Sequence, residues 1–138
     1  MPLTADDRWA IAETLARHGH LFDDGHLDRL DEIFTADVVY DLEDFGQEPL
    51  RGIDEIRRAA VDLGDGGPVG HHVTNVVITD VTTDAVTTRS KGIGVMADGS
   101  CGSVTYVDEL RREPDGWRIR YRKVLRRRAP LGANPGER

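Results

Sequence analysis

The chain has 138 residues, of which 38% are hydrophobic and 31% are charged, so it can form one real core and is too apolar to be disordered. Its net charge of −7 weighs against nucleic acid as a partner. A single cysteine, Cys101, excludes an internal disulfide and a multi-cysteine metal site. The sequence shows no apolar run long enough to span a bilayer and no signal-peptide pattern, so we expect a cytoplasmic protein without a membrane partner.

The first elements along the chain are predicted to be helical. The helical pattern runs from Asp6 to about Phe22, and Gly25 ends it. Apolar positions recur at steps of four and three residues, so one face of this helix carries Ile11, Leu15, His18 and Phe22. A lone histidine on an apolar face is usually a core residue.

Shorter elements follow in the middle of the chain. We expect a second helix from Asp28 to Phe34, a short strand over Val38–Tyr40 and a polar, irregular stretch over residues 41–51. A third helix is predicted over residues 52–63, and a glycine-rich loop over residues 64–70 connects it to the second half.

The second half changes to a strand-like pattern rich in Val, Thr, Ile and Tyr. Four strands are predicted over residues 71–81, 85–96, 102–112 and 117–125. Helices followed by a meander predict an α+β fold, in which a curved antiparallel sheet carries helices on one face and encloses a pocket. We expect a single domain over residues 1–128 and a flexible, Pro/Gly-rich tail over residues 129–138.

Four short motifs, in this order and spacing, resemble those of the nuclear transport factor 2-like superfamily in its SnoaL-like and scytalone dehydratase-like branch. They are the segments at residues 22–30, 37–40, 71–76 and 115–119. The resemblance implies a cone-shaped, curved antiparallel or mixed sheet with about three N-terminal helices packed on its concave face. It also implies a choice of roles, because this family includes dehydratases, isomerases, cyclases, noncatalytic binders and dioxygenase small subunits.

The resemblance assigns the family's pocket carboxylate to Asp23, although an Asp at this place could instead cap the following helix. The family's strand histidine falls on His71, four residues before Asn75. Neighbouring strand residues point to opposite faces, so only one of His71 and His72 can enter the pocket. His71 is favoured, but the register with His72 inward is the more apolar one, and both histidines could simply flank a loop.

Further residues are expected to contact a substrate: His18, Phe22, Tyr40, His72 and Tyr106. His18 occupies a place where the family often has an aromatic pocket residue. A buried tyrosine needs a hydrogen-bond partner, which a ligand carbonyl could supply, although Tyr40 and Tyr106 could equally be core residues.

We expect neither a metal nor a cofactor. His18, His20 and His26 are separated by two and six residues, so they do not share one helical face, and no cysteine could complete a site with them. We do expect a homodimer, because three short helices cannot bury the apolar positions on both faces of four strands.

Two functions remain open at this point. The first is a cofactor-independent acid/base enzyme, a dehydratase, isomerase or cyclase, acting on a small hydrophobic cyclic or polyketide-like carbonyl compound. In it, His71 would transfer a proton and Asp23 would hold the imidazole tautomer or act as the base itself. The second is a noncatalytic ligand-binding or assembly module of the same fold, similar to a dioxygenase small subunit.

Overall fold

The computed structural model describes residues 2–132. Two α-helices are present, α1 (Ala5–Asp23) and α2 (Ile53–Leu63), with a short 3₁₀ helix at Leu27–Glu32 between them. The six strands are β1 (Phe34–Asp41), β2 (Leu50–Arg51), β3 (Gly70–Val81), β4 (Val86–Val95), β5 (Cys101–Glu113) and β6 (Gly116–Arg126). No helix among these residues is both long and apolar enough to cross a membrane.

The strands form one mixed sheet that does not close into a barrel. Their order is β2-β1-β6-β5-β4-β3, with β1 parallel to β6 and every other pair antiparallel. The predicted α+β fold, with three helical segments on a mixed sheet, is confirmed. The core lies between the helices and the sheet, where Leu15, Leu30, Phe34 and Ile119 are fully or almost fully buried.

A capping box starts α1 and fixes its direction. The Thr4 hydroxyl accepts the Asp7 backbone N–H at 3.0 Å, and the Asp7 carboxylate accepts the Thr4 backbone N–H at 3.0 Å. The helix then runs across the sheet toward β3, so its C-terminal residue Asp23 arrives beside the start of that strand.

The second predicted helix is shorter than expected. The 3₁₀ helix ends at Glu32, and Phe34 already belongs to β1. The Ile33 carbonyl accepts the Ile119 backbone N–H at 2.7 Å, so pairing with β6 replaces the helical turn that the local sequence favours. Sheet pairing also lengthens the predicted strand at residues 38–40 to Phe34–Asp41.

Two other expectations concern irregular segments. The stretch over residues 41–51 contains a 3₁₀ turn at Glu43–Phe45 and the short strand β2. Of the expected tail, residues 129–132 are exposed and include another 3₁₀ turn, while residues 133–138 lie outside the described residues.

A β-bulge in β3 decides which of its side chains face the helices. Pairing with β4 shifts between Thr74 and Val77, and Asn75 adopts a left-handed backbone with φ of 57°, a conformation that Asn tolerates better than most residues. Before the bulge Val73 packs against the core, and after it Ile78 does. His71 shares the inward face with Val73, and His72 points to the other side.

Candidate active site

The site centres on Asp23, at the end of α1, and His71, at the start of β3. The Asp23 carboxylate lies 2.6 Å from the His71 ring atom Nδ1. It also accepts the His71 backbone N–H, at 3.1 Å to Oδ1 and 3.0 Å to Oδ2. Both side chains are about three-quarters buried, so the pair is sheltered but reachable.

This arrangement fixes the tautomer of the imidazole. A carboxylate beside Nδ1 requires a proton on that nitrogen, because an ionised carboxylate can only accept. In the neutral imidazole, Nε2 then carries the free lone pair, and His71 contributes to the wall of a cavity. The geometry is that of a base oriented by a carboxylate.

Gly19 allows α1 to come this close to β3. A Cβ added to Gly19 would lie 2.3 Å from the backbone carbonyl oxygen of His71, a distance that real Cβ atoms do not adopt. The glycine therefore sets the separation of helix and strand across which Asp23 reaches His71.

The cavity beside this pair has a volume of about 400 Å³, within the usual range for small-molecule sites. Its polar lining groups are His18, Tyr40, Gln47 and His71. The rest of the wall is mostly apolar. It includes Phe22 from the end of α1, Leu42, Phe45 and Leu50 from the segment before α2, and Ile56, Ala59, Ala60 and Leu63 from α2. The chemistry of the wall suits a compact apolar molecule with one or two polar groups.

His18 is buried in the wall of the cavity. Its Nε2 lies 3.5 Å from the Tyr40 hydroxyl oxygen, and its Nδ1 makes no hydrogen bond with any described residue. Burial, with smaller contributions from the charges of Arg122 and His71, lowers the pKa of His18 well below 6.5. A neutral imidazole at this place can hydrogen-bond a ligand but is not poised to hold a positive charge.

Tyr40 lies next to His18, with ring centroids 6.5 Å apart. Burial raises the pKa of Tyr40 above 10, although the nearby Arg122 charge opposes this rise. The hydroxyl therefore stays protonated at neutral pH and is available as a donor to a ligand oxygen.

The structure places two expected contact residues away from the cavity. His72 is exposed on the opposite face of the sheet, because adjacent strand residues alternate and the bulge lies further along β3. Tyr106 is buried but does not line the cavity. Its ring lies against Gly92, where an added Cβ would come within 2.4 Å of it, and its centroid is 6.0 Å from that of His18.

The other expected site residues do come together. One cluster is formed by Asp23, His71, His18, Phe22 and Tyr40. In it, the ring centroid of Phe22 lies 4.5 Å from that of His18 and 6.0 Å from that of His71. Their roles in binding or catalysis stay predictions. Within residues 2–132, no group of three or more His, Cys, Asp or Glu side chains could hold a metal ion.

Sequence reasoning missed three features of this site. Gly19 could have been noticed, because a glycine inside a helix is unfavourable unless packing requires it. Gln47 lies in a stretch with no periodic pattern, so nothing signalled it. The third feature is the buried pair of Asp108 and Arg122 behind Tyr40, and no local pattern separates this arginine from the other basic residues of β6.

The chain belongs to the SnoaL-like domain family, whose model matches residues 3–123. No functionally curated protein matches it.

Solved structures support the fold over nearly the whole chain. A proposed aromatic ring hydroxylase from Novosphingobium aromaticivorans is 26% identical, with a TM-score of 0.74 over 93% of this chain and 94% of that one. A proposed scytalone dehydratase from the same organism is 18% identical, with a TM-score of 0.68 over 92% of this chain and 94% of that one. The beta subunit of a proposed aromatic-ring-hydroxylating dioxygenase, also from that organism, is 21% identical, with a TM-score of 0.65 over 88% and 92%.

Proposed function

We propose that the protein is a cofactor-independent acid/base enzyme that acts on a small, hydrophobic, cyclic or polyketide-like carbonyl compound. The observation that carries this proposal is the Asp23 carboxylate 2.6 Å from His71 Nδ1 at the wall of an apolar cavity. The family includes dehydratases, isomerases and cyclases, and on a carbonyl compound each of these reactions can begin with the same step.

That step is the removal of a proton from the carbon next to the carbonyl. His71 Nε2 takes the proton, the C–H electron pair becomes the enolate double bond, and negative charge moves to the carbonyl oxygen. Tyr40 donates a hydrogen bond to that oxygen, and Asp23 stabilises the imidazolium that forms. In a dehydration, the imidazolium then protonates the β-hydroxyl, the enolate electrons re-form the carbonyl and make the Cα–Cβ double bond, and the Cβ–O bond breaks to release water. In an isomerisation, the imidazolium returns the proton to another carbon.

The dyad favours an enzyme over a noncatalytic module. A structural subunit has no use for a carboxylate that orients a partly buried imidazole toward a cavity, whereas a general base needs this arrangement. A binder of carbonyl compounds could be built from Tyr40 and His18 alone.

The test is turnover of a panel of cyclic hydroxy-ketones and polyketide-like phenols by three variants. We expect Asp23→Asn and His71→Ala each to lower kcat by about 10²–10⁴, the usual range for a general acid/base. The matched control is His72→Ala, which removes the neighbouring imidazole from the other face of the sheet and should leave kcat unchanged.

Two further results would decide the roles. If Asp23 and His71 act as one unit, the double variant should be little slower than either single variant. Undiminished turnover in His71→Ala would overturn the proposal. Ligand binding without turnover of any panel member would favour the second candidate, a noncatalytic binding or assembly module, which the structural similarity to a dioxygenase beta subunit supports.

A further inference from the structure

A row of inward-facing residues crosses the sheet behind the proposed site. Strand register pairs Tyr40 with Arg122, Arg122 with Asp108 and Asp108 with Thr88. Register partners on adjacent strands point to the same face, so these four side chains lie side by side. Tyr40 reaches the cavity, whereas Arg122 and Asp108 are completely buried.

The two charged members form a bidentate ion pair. Arg122 Nε donates to Asp108 Oδ1 at 2.7 Å, and Arg122 Nη2 donates to Asp108 Oδ2 at 2.9 Å. The Arg122 guanidinium also lies over the Tyr106 ring, 3.9 Å from its centroid. These contacts fix the plane of the guanidinium and leave it little freedom to move.

One nitrogen of this guanidinium has no close hydrogen-bond partner among the described residues. Arg122 Nη1 is buried and makes no hydrogen bond with any described residue. A completely buried charged group with an open donor is costly, and such cases call for an explanation. An ion pair held only for stability would be expected to satisfy both ends or to be replaced by apolar residues.

The order of these four residues across the sheet sets the direction of the Arg122–Asp108 dipole. Arg122 stands between Tyr40 and Asp108, so the positive end of the pair lies on the side of Tyr40, which lines the cavity. The positive charge of Arg122 also acts on His18, where it contributes to the lowered pKa of the imidazole. Both polar groups at this end of the cavity therefore feel a fixed positive charge that lies out of contact with solvent.

We infer that Arg122, oriented by Asp108, is a positioning residue that makes the Tyr40 end of the cavity selective for a ligand oxygen that is anionic or becomes so. This deepens the proposed function, because the enolate oxygen of that reaction would lie at Tyr40. The substrate class is thereby narrowed to compounds whose carbonyl or phenol oxygen takes up negative charge in a water-poor site. Such preorganised charge is effective because it needs no rearrangement during the reaction.

Binding of para-nitrophenol tests this inference without any turnover. Its anion absorbs visible light, so the affinities of the phenol and the phenolate can be measured separately by titration across pH. We expect the wild-type protein to bind the phenolate more tightly than the phenol. In the paired variant Arg122→Met/Asp108→Leu, which removes both charges and keeps an apolar interior, this preference should fall by about tenfold or more, as expected for loss of an adjacent charge.

Two single variants separate an electrostatic role from a structural one. Arg122→Lys keeps the charge and should retain most of the preference for the anion. Asp108→Asn removes the neutralising partner and should preserve or increase the preference, whereas a merely structural role predicts a loss. Circular dichroism and thermal unfolding establish that each variant is folded, and the paired variant decides the matter if Asp108→Asn is not.

Equal preference for the phenolate in the wild-type protein and the paired variant would overturn the inference, as would failure of the wild-type protein to bind the phenolate. Neither result depends on catalysis. Conversely, a protein that binds phenolate through Arg122 but converts no member of the carbonyl panel would refute the proposed enzyme and leave the anion site standing.

Discussion

The carboxylate of Asp23 accepts two donors from one residue, the ring Nδ1–H of His71 at 2.6 Å and its backbone N–H at 3.0 Å. The backbone bond ties the carboxylate to β3, and the ring bond then orients the imidazole relative to the carboxylate. The geometry of the Asp23–His71 contact is therefore set by the distance between α1 and β3, and not by free rotation of the two side chains.

The substitution Gly19→Ala should weaken the contact between Asp23 and His71, although Gly19 itself forms none of the hydrogen bonds between them. The new Cβ would lie 2.3 Å from the His71 carbonyl oxygen, so α1 and β3 must separate. Overpacking of this kind costs about 1–3 kcal/mol of the free energy of unfolding. Urea unfolding measures this loss, and the imidazole ¹⁵N spectrum of His71 should show weakening of the Nδ1–H hydrogen bond to Asp23.

The matched control is Gly102→Ala in β5. A Cβ at Gly102 meets nothing within 4 Å, so this variant changes the same residue type without a clash. We expect wild-type stability and an unchanged His71 spectrum. A Gly19→Ala variant that behaved like this control would contradict the role of close helix–strand packing.

His18 should make stability depend on pH in a defined direction. Burial, followed by the charges of Arg122 and His71, lowers its pKa well below 6.5 in the folded state. Below about pH 6.5 the unfolded chain therefore binds a proton at His18 that the folded chain does not. The free energy of unfolding should fall as the pH drops, with a contribution from His18 of at most about 1.4 kcal/mol per pH unit.

Urea unfolding at a series of pH values from about 7.5 to about 5 measures how the free energy of unfolding depends on pH, and the slope of this dependence is the quantity compared. His18→Gln removes the titrating group and keeps a polar side chain, so its slope should be smaller. His20→Gln alters an exposed histidine of the same helix and should leave the slope unchanged. Identical slopes for wild-type protein and His18→Gln would show that His18 is not held neutral.

We propose a homodimer formed through the outer face of the sheet, the face opposite the helices. Val77 and Ile93 lie on this face and are 58% and 40% exposed. A two-fold interface would pair the same surface on both copies. Sedimentation at micromolar concentration should give the mass of a dimer, and the variant Val77→Asp/Ile93→Asp should give a monomer.

The control for that experiment is Val61→Asp. Val61 is 62% exposed but lies on α2, away from the sheet, so a charge there should leave the dimer intact. A wild-type protein that sediments as a monomer would refute the interface.

The elements with strong periodicity could be predicted from the sequence. The first helix, the third helix and the four strands of the second half appear within a few residues of the predicted bounds. The predicted C-terminal end of the second helix was wrong, because the Ile33 carbonyl accepts a hydrogen bond from Ile119. These two residues are 86 positions apart along the chain, so no local pattern can show this contact.

The site was predictable only in part, for a similar reason. The family resemblance assigned Asp23 and His71, which lie at the ends of elements, whereas the alternation of strand residues showed only that one histidine of the two could face the pocket. In the sequence, Arg122 could not be distinguished from the other basic residues of β6. Its burial depends on the register of β6 against β1 and β5, which sequence alone does not give.

In the proposed mechanism, His71 Nε2 removes a proton next to a carbonyl, and hydrogen–deuterium exchange at that carbon measures this step. A cyclic ketone that binds the protein is incubated in D₂O, and deuterium uptake at the α-carbon is followed by NMR. We expect uptake with the wild-type protein and with His72→Ala, and uptake at the uncatalysed rate with His71→Ala. Equal uptake with wild-type protein and His71→Ala, or no uptake by any bound ketone, would contradict the proposed mechanism.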